Sequence, residues 1–325
     1  MRSHPMSPGS GIPPARRPLF ARLFLSPEEP RLRAGWRLLI QSVLALALLL
    51  AASLPVTLLL LLTGGAGLEQ LQSSALLNAS ISLVGIVTSV WIARRFLDRR
   101  SFSSLGLVVN SRAAKDLVAG IAITAVMMGA ILVVELAAGW TRVESWAWQT
   151  MPLQKVALDL LIALGVFIAV GFYEEILYRG YQLQNLRDGV GLTAGFVLSS
   201  FIFAASHAMN PNSVWYSTVA GILVAGFFLG YGWLRSGALW LPIGLHIGWN
   251  MFEGPVFGFP VSGLDTARLL VHAGSGPILW TGGAFGPEAG LVILPAMALG
   301  AALVWVYTRK RQTPESPPPV PPAEA

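Results

Sequence analysis

Cysteine is absent from the 325 residues. Disulfide frameworks, thiolate zinc sites and a cysteine nucleophile are thereby excluded. Charge is also scarce: 12% of the residues are Asp, Glu, Lys or Arg, against roughly a quarter in an ordinary soluble domain. With 54% hydrophobic residues and a positive mean hydropathy, the composition points to lipid as the main solvent. Histidine occurs four times, and the His-Glu-x-x-His zinc pattern is missing. The first 30 residues are rich in Arg and Pro but lack a short apolar core followed by a small-residue cleavage site, so no cleaved signal peptide is expected. Lys and Arg outnumber Asp and Glu by 22 to 16. The Arg residues sit beside apolar segments and not in a stripe with aromatics, which reads as topology-setting charge and gives no nucleic-acid partner.

What is present is a series of apolar runs of the length a membrane crossing needs, about 20 residues. Eight lie near Leu38 to Thr63, Ala75 to Ala93, Leu117 to Ala138, Leu160 to Leu183, Leu192 to His207, Val214 to Leu234, Ala238 to Met251 and Ala289 to Thr308. The expected fold class is therefore all-α, a polytopic transmembrane helical bundle of about eight spans. The fourth run contains charges, and the fifth and seventh are short for a full crossing. Such segments are the ones expected to line a cavity instead of facing lipid.

Loop charge gives an independent check, because cytoplasmic loops keep Lys and Arg in excess. Arg16, Arg17, Arg22, Arg31, Arg33 and Arg37 precede the first run; Arg94, Arg95, Arg99, Arg100, Arg112 and Lys115 separate the second from the third; Arg309, Lys310 and Arg311 follow the last. An eight-span count puts all three groups on one side and both termini in the cytoplasm. The expected organisation is a basic, Pro-rich cytoplasmic segment (1–37), a transmembrane domain (38–308) whose motif-bearing core is about 160–263, and a disordered Pro-rich cytoplasmic tail (309–325). Trp146, Trp148 and Trp280 fit an outer interfacial belt. Small residues four apart, Gly226 with Gly230 and Gly244 with Gly248, suit close helix packing, and the second pair brackets His246.

Ionisable residues inside spans are costly and are functional-site candidates by default. The main cluster is Glu174, Glu175, Tyr178 and Arg179. Glu175 and Arg179 are one helical turn apart and in the favourable order for an ion pair. Glu174 lies about 100° away around the axis and need not share that partner. Glu135, near the outer end of its span, reads as interfacial; His4 and His272 carry no signal. His207 and His246 fall in spans, with Phe203 four residues before the first and Asn250 four after the second. His246 and Asn250 thus share a helix face and suit hydrogen bonding to a developing oxyanion; a His can also bind metal. A Glu pair near a helix end is often only a solvated terminus, and a lone intramembrane His is often a packing hydrogen-bond residue. Here three polar-interrupted spans each supply an ionisable group in a bundle otherwise nearly free of them, which points to one site.

These motifs resemble those of the CAAX protease and bacteriocin-processing (Abi) membrane proteases, typified by the eukaryotic Ras-converting endoprotease: Glu-Glu-x-x-x-Arg, Phe-x-x-x-His and His-x-x-x-Asn, in that order. The resemblance implies an intramembrane endopeptidase in which Glu174 polarises a water, His207 helps to position it, and His246 and Asn250 stabilise the oxyanion, with Glu175 and Arg179 holding Glu174 in place and Phe203 in support. It leaves the cofactor unknown. A metal-independent mechanism is favoured over a divalent metal such as zinc on Glu174, His207 and His246. The expected setting is a bacterial inner (plasma) membrane, with a peptide or membrane-anchored protein as substrate. The alternative is a non-enzymatic transporter or scaffold whose buried Glu and His relay protons or bind a solute. One tension stands: counting rise per residue from these boundaries separates Glu174 and His207 by about 10 Å in depth.

Overall fold

The computed structural model describes residues 18–27, 29–62, 74–215 and 221–311. The expected tail beyond Gln312 and most of the segment before the first span lie outside them. Eleven α-helices follow in chain order among the described residues: α1 (Leu19–Phe24), α2 (Ala34–Leu62), α3 (Ala75–Ile92), α4 (Ser111–Ala137), α5 (Leu153–Glu175), α6 (Leu183–Val190), α7 (Leu192–Ser206), α8 (Leu223–Ser236), α9 (Trp240–Met251), α10 (Ile278–Thr281) and α11 (Ile293–Thr308). Four helical stretches are long and apolar enough to cross a membrane: Ala34–Leu59, Ala75–Leu97, Ser111–Ala137 and Leu153–Val190. Shorter apolar helices accompany them, and together they make a multi-pass membrane bundle.

Each of the eight expected runs holds a helix, with bounds displaced where a polar stretch stays helical. The third run was placed from Leu117, yet α4 starts at Ser111. There Asn110 caps it, accepting the N–H groups of Arg112 and Ala113 at 2.9 and 3.0 Å. The largest correction concerns the fourth run. Helix α5 passes through a π-helical turn (Ile176–Gln182) directly into α6, so one continuous rod runs from Leu153 to Val190. A scan for apolar residues ends at Leu183 because α6 carries charge, Arg187 and Asp188. That charge is satisfied laterally: Asp188 accepts from Arg31 at 2.8 Å and from Arg100 at 3.2 Å.

The chain then reverses within one residue, Gly191, at φ +86°, a conformation that a side chain would strain. Helix α7 therefore runs back along the rod. Glu174 and His207 stand nearly equal numbers of residues to either side of this turn, which brings them to one depth. The 10 Å separation expected from the run boundaries disappears, because the rod extends past the point at which that count started.

Helix α9 is the centre of the bundle. Every residue from Leu241 to Asn250 is buried, as expected of a helix that is apolar all round. Its closest neighbour is α4, and glycines make the approach possible. A Cβ on Gly244 would overlap the Leu117 carbonyl, and one on Gly248 would overlap the Thr124 hydroxyl. On α8, a Cβ on Gly226 would press on Ser200, and one on Gly230 on the Phe196 ring, both belonging to α7. Both small-residue pairs are thus packing seams, and the α9 seam fixes the height and rotation of His246. Ile123, Met127 and Met128 of α4 pack with Leu241, Leu245 and Trp249 of α9 in the main core.

The bundle has two chemically distinct ends. At one, Asp98 accepts from Arg37 and Arg94 at 2.8 Å each, and Asp116 holds Arg311 and the Tyr307 hydroxyl. At the other, a two-stranded antiparallel sheet, absent from the all-α expectation, ties β1 (Thr141–Trp146) to β2 (Leu270–Gly274). Its strands are short and far apart in sequence, so neither announces a partner. Trp146 and Trp148 stack there with centroids 4.9 Å apart and remain exposed; Trp280 packs on Trp140. Glu135 sits at the same end but is buried, not solvated as an interfacial residue would be. The last turn of α4 packs under the β1 connection, and the Glu135 carbonyl accepts the Trp140 N–H.

Candidate active site

Four elements converge on one cavity of about 370 Å³. The end of α5 and the following π-turn bring Glu174 and Tyr178, α7 brings Phe203 and His207, and α9 brings His246 and Asn250. The fourth, α8, closes the wall with Ala225 and Phe228. Each predicted catalytic residue therefore lines the same space. Single-turn π segments inside α-helices recur at functional sites, and this one begins at the residue after Glu175.

The polar geometry is specific. Glu174 Oε2 lies 3.8 Å from His207 Nε2 and 3.8 Å from His246 Nε2. Both rings aim the same nitrogen at one carboxylate oxygen, because the other nitrogen of each is already engaged. His207 Nδ1 is 2.8 Å from the Phe203 carbonyl. A carbonyl can only accept, so this nitrogen carries the proton and Nε2 of the neutral ring presents a lone pair. His246 Nδ1 lies 2.8 Å from Glu175 Oε1. The three facing atoms are too far apart for direct hydrogen bonds and spaced for one bridging water.

Glu175 is fully buried and forms the hub of the support. Its Oε1 accepts from Arg179 at 2.6 Å as well as from His246. Arg179 is held in turn by the Gly226 carbonyl at 3.1 Å and by the face of Phe203, whose centroid is 4.3 Å from its guanidinium carbon. The one-turn pairing expected of Glu175 and Arg179 is present. The expectation that the pair steadies Glu174 needs revision: the hydrogen bond runs to His246, because Glu175 faces α9 while Glu174 faces the cavity. Phe203 backs Arg179 and His207 together, with ring centroids 4.7 Å apart in the latter pair. The Asn250 carboxamide is buried in the wall and makes no hydrogen bond with any described residue.

Residues 156–252 match the family model for type II CAAX prenyl endopeptidase Rce1-like proteins. Over this segment the chain is similar to the Rce1-like proteins. The segment runs from the first turn of α5 to the end of α9, so it contains the four converging elements and all three motifs. Outside it, the first three long helices of the chain and its last helix complete the bundle. A similar curated protein is an "Uncharacterized 24.3 kDa protein" of Escherichia coli, 32% identical over 90 residues, which cover 27% of this chain and 40% of that protein. The chain thus spans about two fifths of the length of the curated relative it matches. No solved structure matches it significantly.

Glu174, His207 and His246 face one another, but among the described residues no group of three His, Cys, Asp or Glu side chains is arranged to hold a metal ion. Three residues of the cavity wall escaped the sequence reading. Glu288 Oε1 accepts from Trp249 Nε1 at 2.9 Å, and its Oε2 accepts from the Ser262 N–H at 2.7 Å and hydroxyl at 2.6 Å. Asn210 donates to the Ser262 carbonyl at 3.2 Å. All three lie in connections rich in Gly, Pro and small polar residues, and Glu288 sits between a Pro and an apolar run. Nothing in that local pattern separates a wall residue from a solvated one.

Proposed function

We propose that this protein is an intramembrane endopeptidase that hydrolyses a peptide bond with a water activated by Glu174. The carrying observation is the convergence of Glu174 Oε2 with the Nε2 atoms of His207 and His246 at 3.8 Å each, inside a cavity walled by membrane helices. A water held between them gives a proton to the Glu174 carboxylate as its oxygen bonds to the scissile carbonyl carbon. His207 accepts the second water hydrogen and fixes the direction of attack. The tetrahedral oxyanion receives hydrogen bonds from the Asn250 carboxamide and from His246 Nε2–H. For that, His246 donates from both nitrogens, with its Nδ1–H directed to the Glu175 carboxylate at 2.8 Å. As the C–N bond breaks, Glu174 returns its proton to the leaving amine, and the charges balance.

This reading needs no metal, since the base, the positioning group and the oxyanion donors are all side chains of the chain itself. Purified protein in detergent or vesicles is expected to cleave members of a membrane-soluble peptide library, and to retain most of that activity after dialysis against a chelator. Loss on chelation that zinc restores would assign Glu174, His207 and His246 as ligands instead. Proton-coupled flux without cleavage of any peptide would favour the transporter reading.

The eight helices fit eight crossings with both termini in the cytoplasm of a bacterial inner membrane. Support comes from the Arg-rich end, where the start of α2, the end of α3, the start of α4 and the end of α11 meet in alternating directions, as antiparallel neighbours must. A reporter fused after Arg311 should be active only on the cytoplasmic side. Periplasmic activity of that fusion would overturn the topology.

A further inference from the structure

The catalytic reading leaves Glu288 without a role, although it is buried and lines the same cavity as Glu174. Burying a carboxylate is expensive unless its oxygens are hydrogen-bonded. Here both are. Oε1 accepts the Trp249 indole N–H at 2.9 Å, and Oε2 accepts the Ser262 N–H at 2.7 Å and its hydroxyl at 2.6 Å. With these acceptors filled, Glu288 is poorly placed to bind a substrate or act as a base. It is well placed to hold two elements together.

One arm of this clasp ends on α9. Trp249 immediately precedes Asn250, whose carboxamide makes no hydrogen bond with any described residue, so its aim depends on the placement of the helix that carries it. Two residues beyond Asn250 the helix passes into a π-turn, Phe252–Val256, where the regular ladder changes spacing. Side-chain tips stand about 5 to 6 Å from a helix axis, so a rotation of about 10° moves the carboxamide by about 1 Å. The other arm ends on the turn after α7. Ser262 has φ +48°, a left-handed conformation that costs energy in any residue with a side chain. Glu288 holds it there from one side. From the other, the Asn210 side chain donates to the Ser262 carbonyl at 3.2 Å, and the Asn210 N–H donates to the His207 carbonyl at 3.1 Å. An unbroken path therefore runs from Asn250 through Trp249, Glu288, Ser262 and Asn210 to His207.

We infer that Glu288 is a positioning residue: it clamps α9 to the turn after α7 and so fixes the spacing between His207, which holds the water, and Asn250, which donates to the oxyanion. This rests on the endopeptidase reading and adds to it a residue from outside the segment 156–252 that matches the family. A single carbonyl group has to meet both partners at once, and a misplacement of about 1 Å can cost about 100-fold in rate.

The test uses full-length protein and a quenched-fluorescence peptide that wild type cleaves. Glu288→Leu removes the clasp, and Trp249→Phe cuts its α9 arm while keeping an aromatic ring in place. Each is expected to lower kcat by about 10- to 100-fold with KM within about threefold of wild type. In an Asn250→Ala background the same substitutions should lower kcat by less than about threefold, because the spacing matters only while both partners are present. A merely structural role would reduce the active fraction equally in both backgrounds, so equal falls would overturn the proposal. Unchanged kcat in a folded variant would do the same. If Glu288→Leu does not fold, Trp249→Phe decides alone. Failure of wild type to cleave any peptide would count against the endopeptidase reading. The clasp is then judged by hydrogen exchange: in either variant the amides of the last turn of α9 and of Ser262 should exchange at least about tenfold faster, and unchanged protection would refute the clasp separately.

Discussion

Glu174→Gln should reduce kcat by about 10²- to 10⁴-fold, the range spanned by a positioned general base, without lowering the temperature of unfolding. The two halves of this expectation have separate origins. The carboxamide of Gln is no base, so the water facing His207 and His246 keeps its proton. Stability is spared because Glu174 Oε2 is buried and bonds to no described residue. Substitution by a neutral side chain of the same shape therefore breaks no hydrogen bond and removes the desolvation cost of a charge. Equal or raised stability with lost turnover is the signature of a residue retained for chemistry at the expense of folding. A variant that loses expression and activity in parallel would return Glu174 to a structural role. Asn250→Ala offers a matched comparison. Its loss should be smaller, about 10²- to 10³-fold in kcat at nearly unchanged KM, because an oxyanion donor acts mainly in the transition state.

The sequence carries this site more legibly than it carries the bundle around it. Glu174, Glu175, Arg179, His207, His246 and Asn250 stand out because charge and polarity inside apolar runs are expensive, so each is visible without knowledge of its neighbours. One-turn spacings also survive folding unchanged: Glu175 with Arg179 pairs as expected, across a π-turn that no local pattern announces. What could not be read is contact between distant segments. The hydrogen bond from His246 to Glu175 joins α9 to α5, and it reassigns Glu175 from steadying Glu174 to steadying His246. The equal arms of the α6 to α7 reversal depend on Gly191 ending a helix whose charged last turns looked like loop. Glu288 became visible only once the connection between α9 and α11 was seen folded back over Trp249. Helix bounds failed at Ser111 and Val190 because ion pairs with Arg311, Arg31 and Arg100, and at Ser111 the Asn110 cap, let charged turns remain helical at the end of the bundle.

Arg179→Met should destabilise the protein by about 3 to 5 kcal/mol, the usual cost of leaving one member of a buried ion pair without its partner. Here the stranded group is the Glu175 carboxylate, fully buried, whose Oε2 already lacks a partner among the described residues. It would keep only His246 as a donor on Oε1. Glu175→Gln should cost a comparable amount by the converse route, stranding the guanidinium against the Phe203 ring and the Gly226 carbonyl. The informative measurement is the double variant. Removing both charges ends the uncompensated burial, so Glu175→Gln with Arg179→Met should be more stable than the sum of the single losses predicts, with a coupling above about 1 kcal/mol, as expected for residues in direct contact. Recovery of folding should not bring recovery of turnover, because His246 would lose the carboxylate that accepts its Nδ1–H and fixes its ring. Additive losses of stability in the double variant would separate Glu175 from Arg179, and full activity in the refolded double variant would separate Glu175 from His246 and leave the oxyanion role to Asn250 alone.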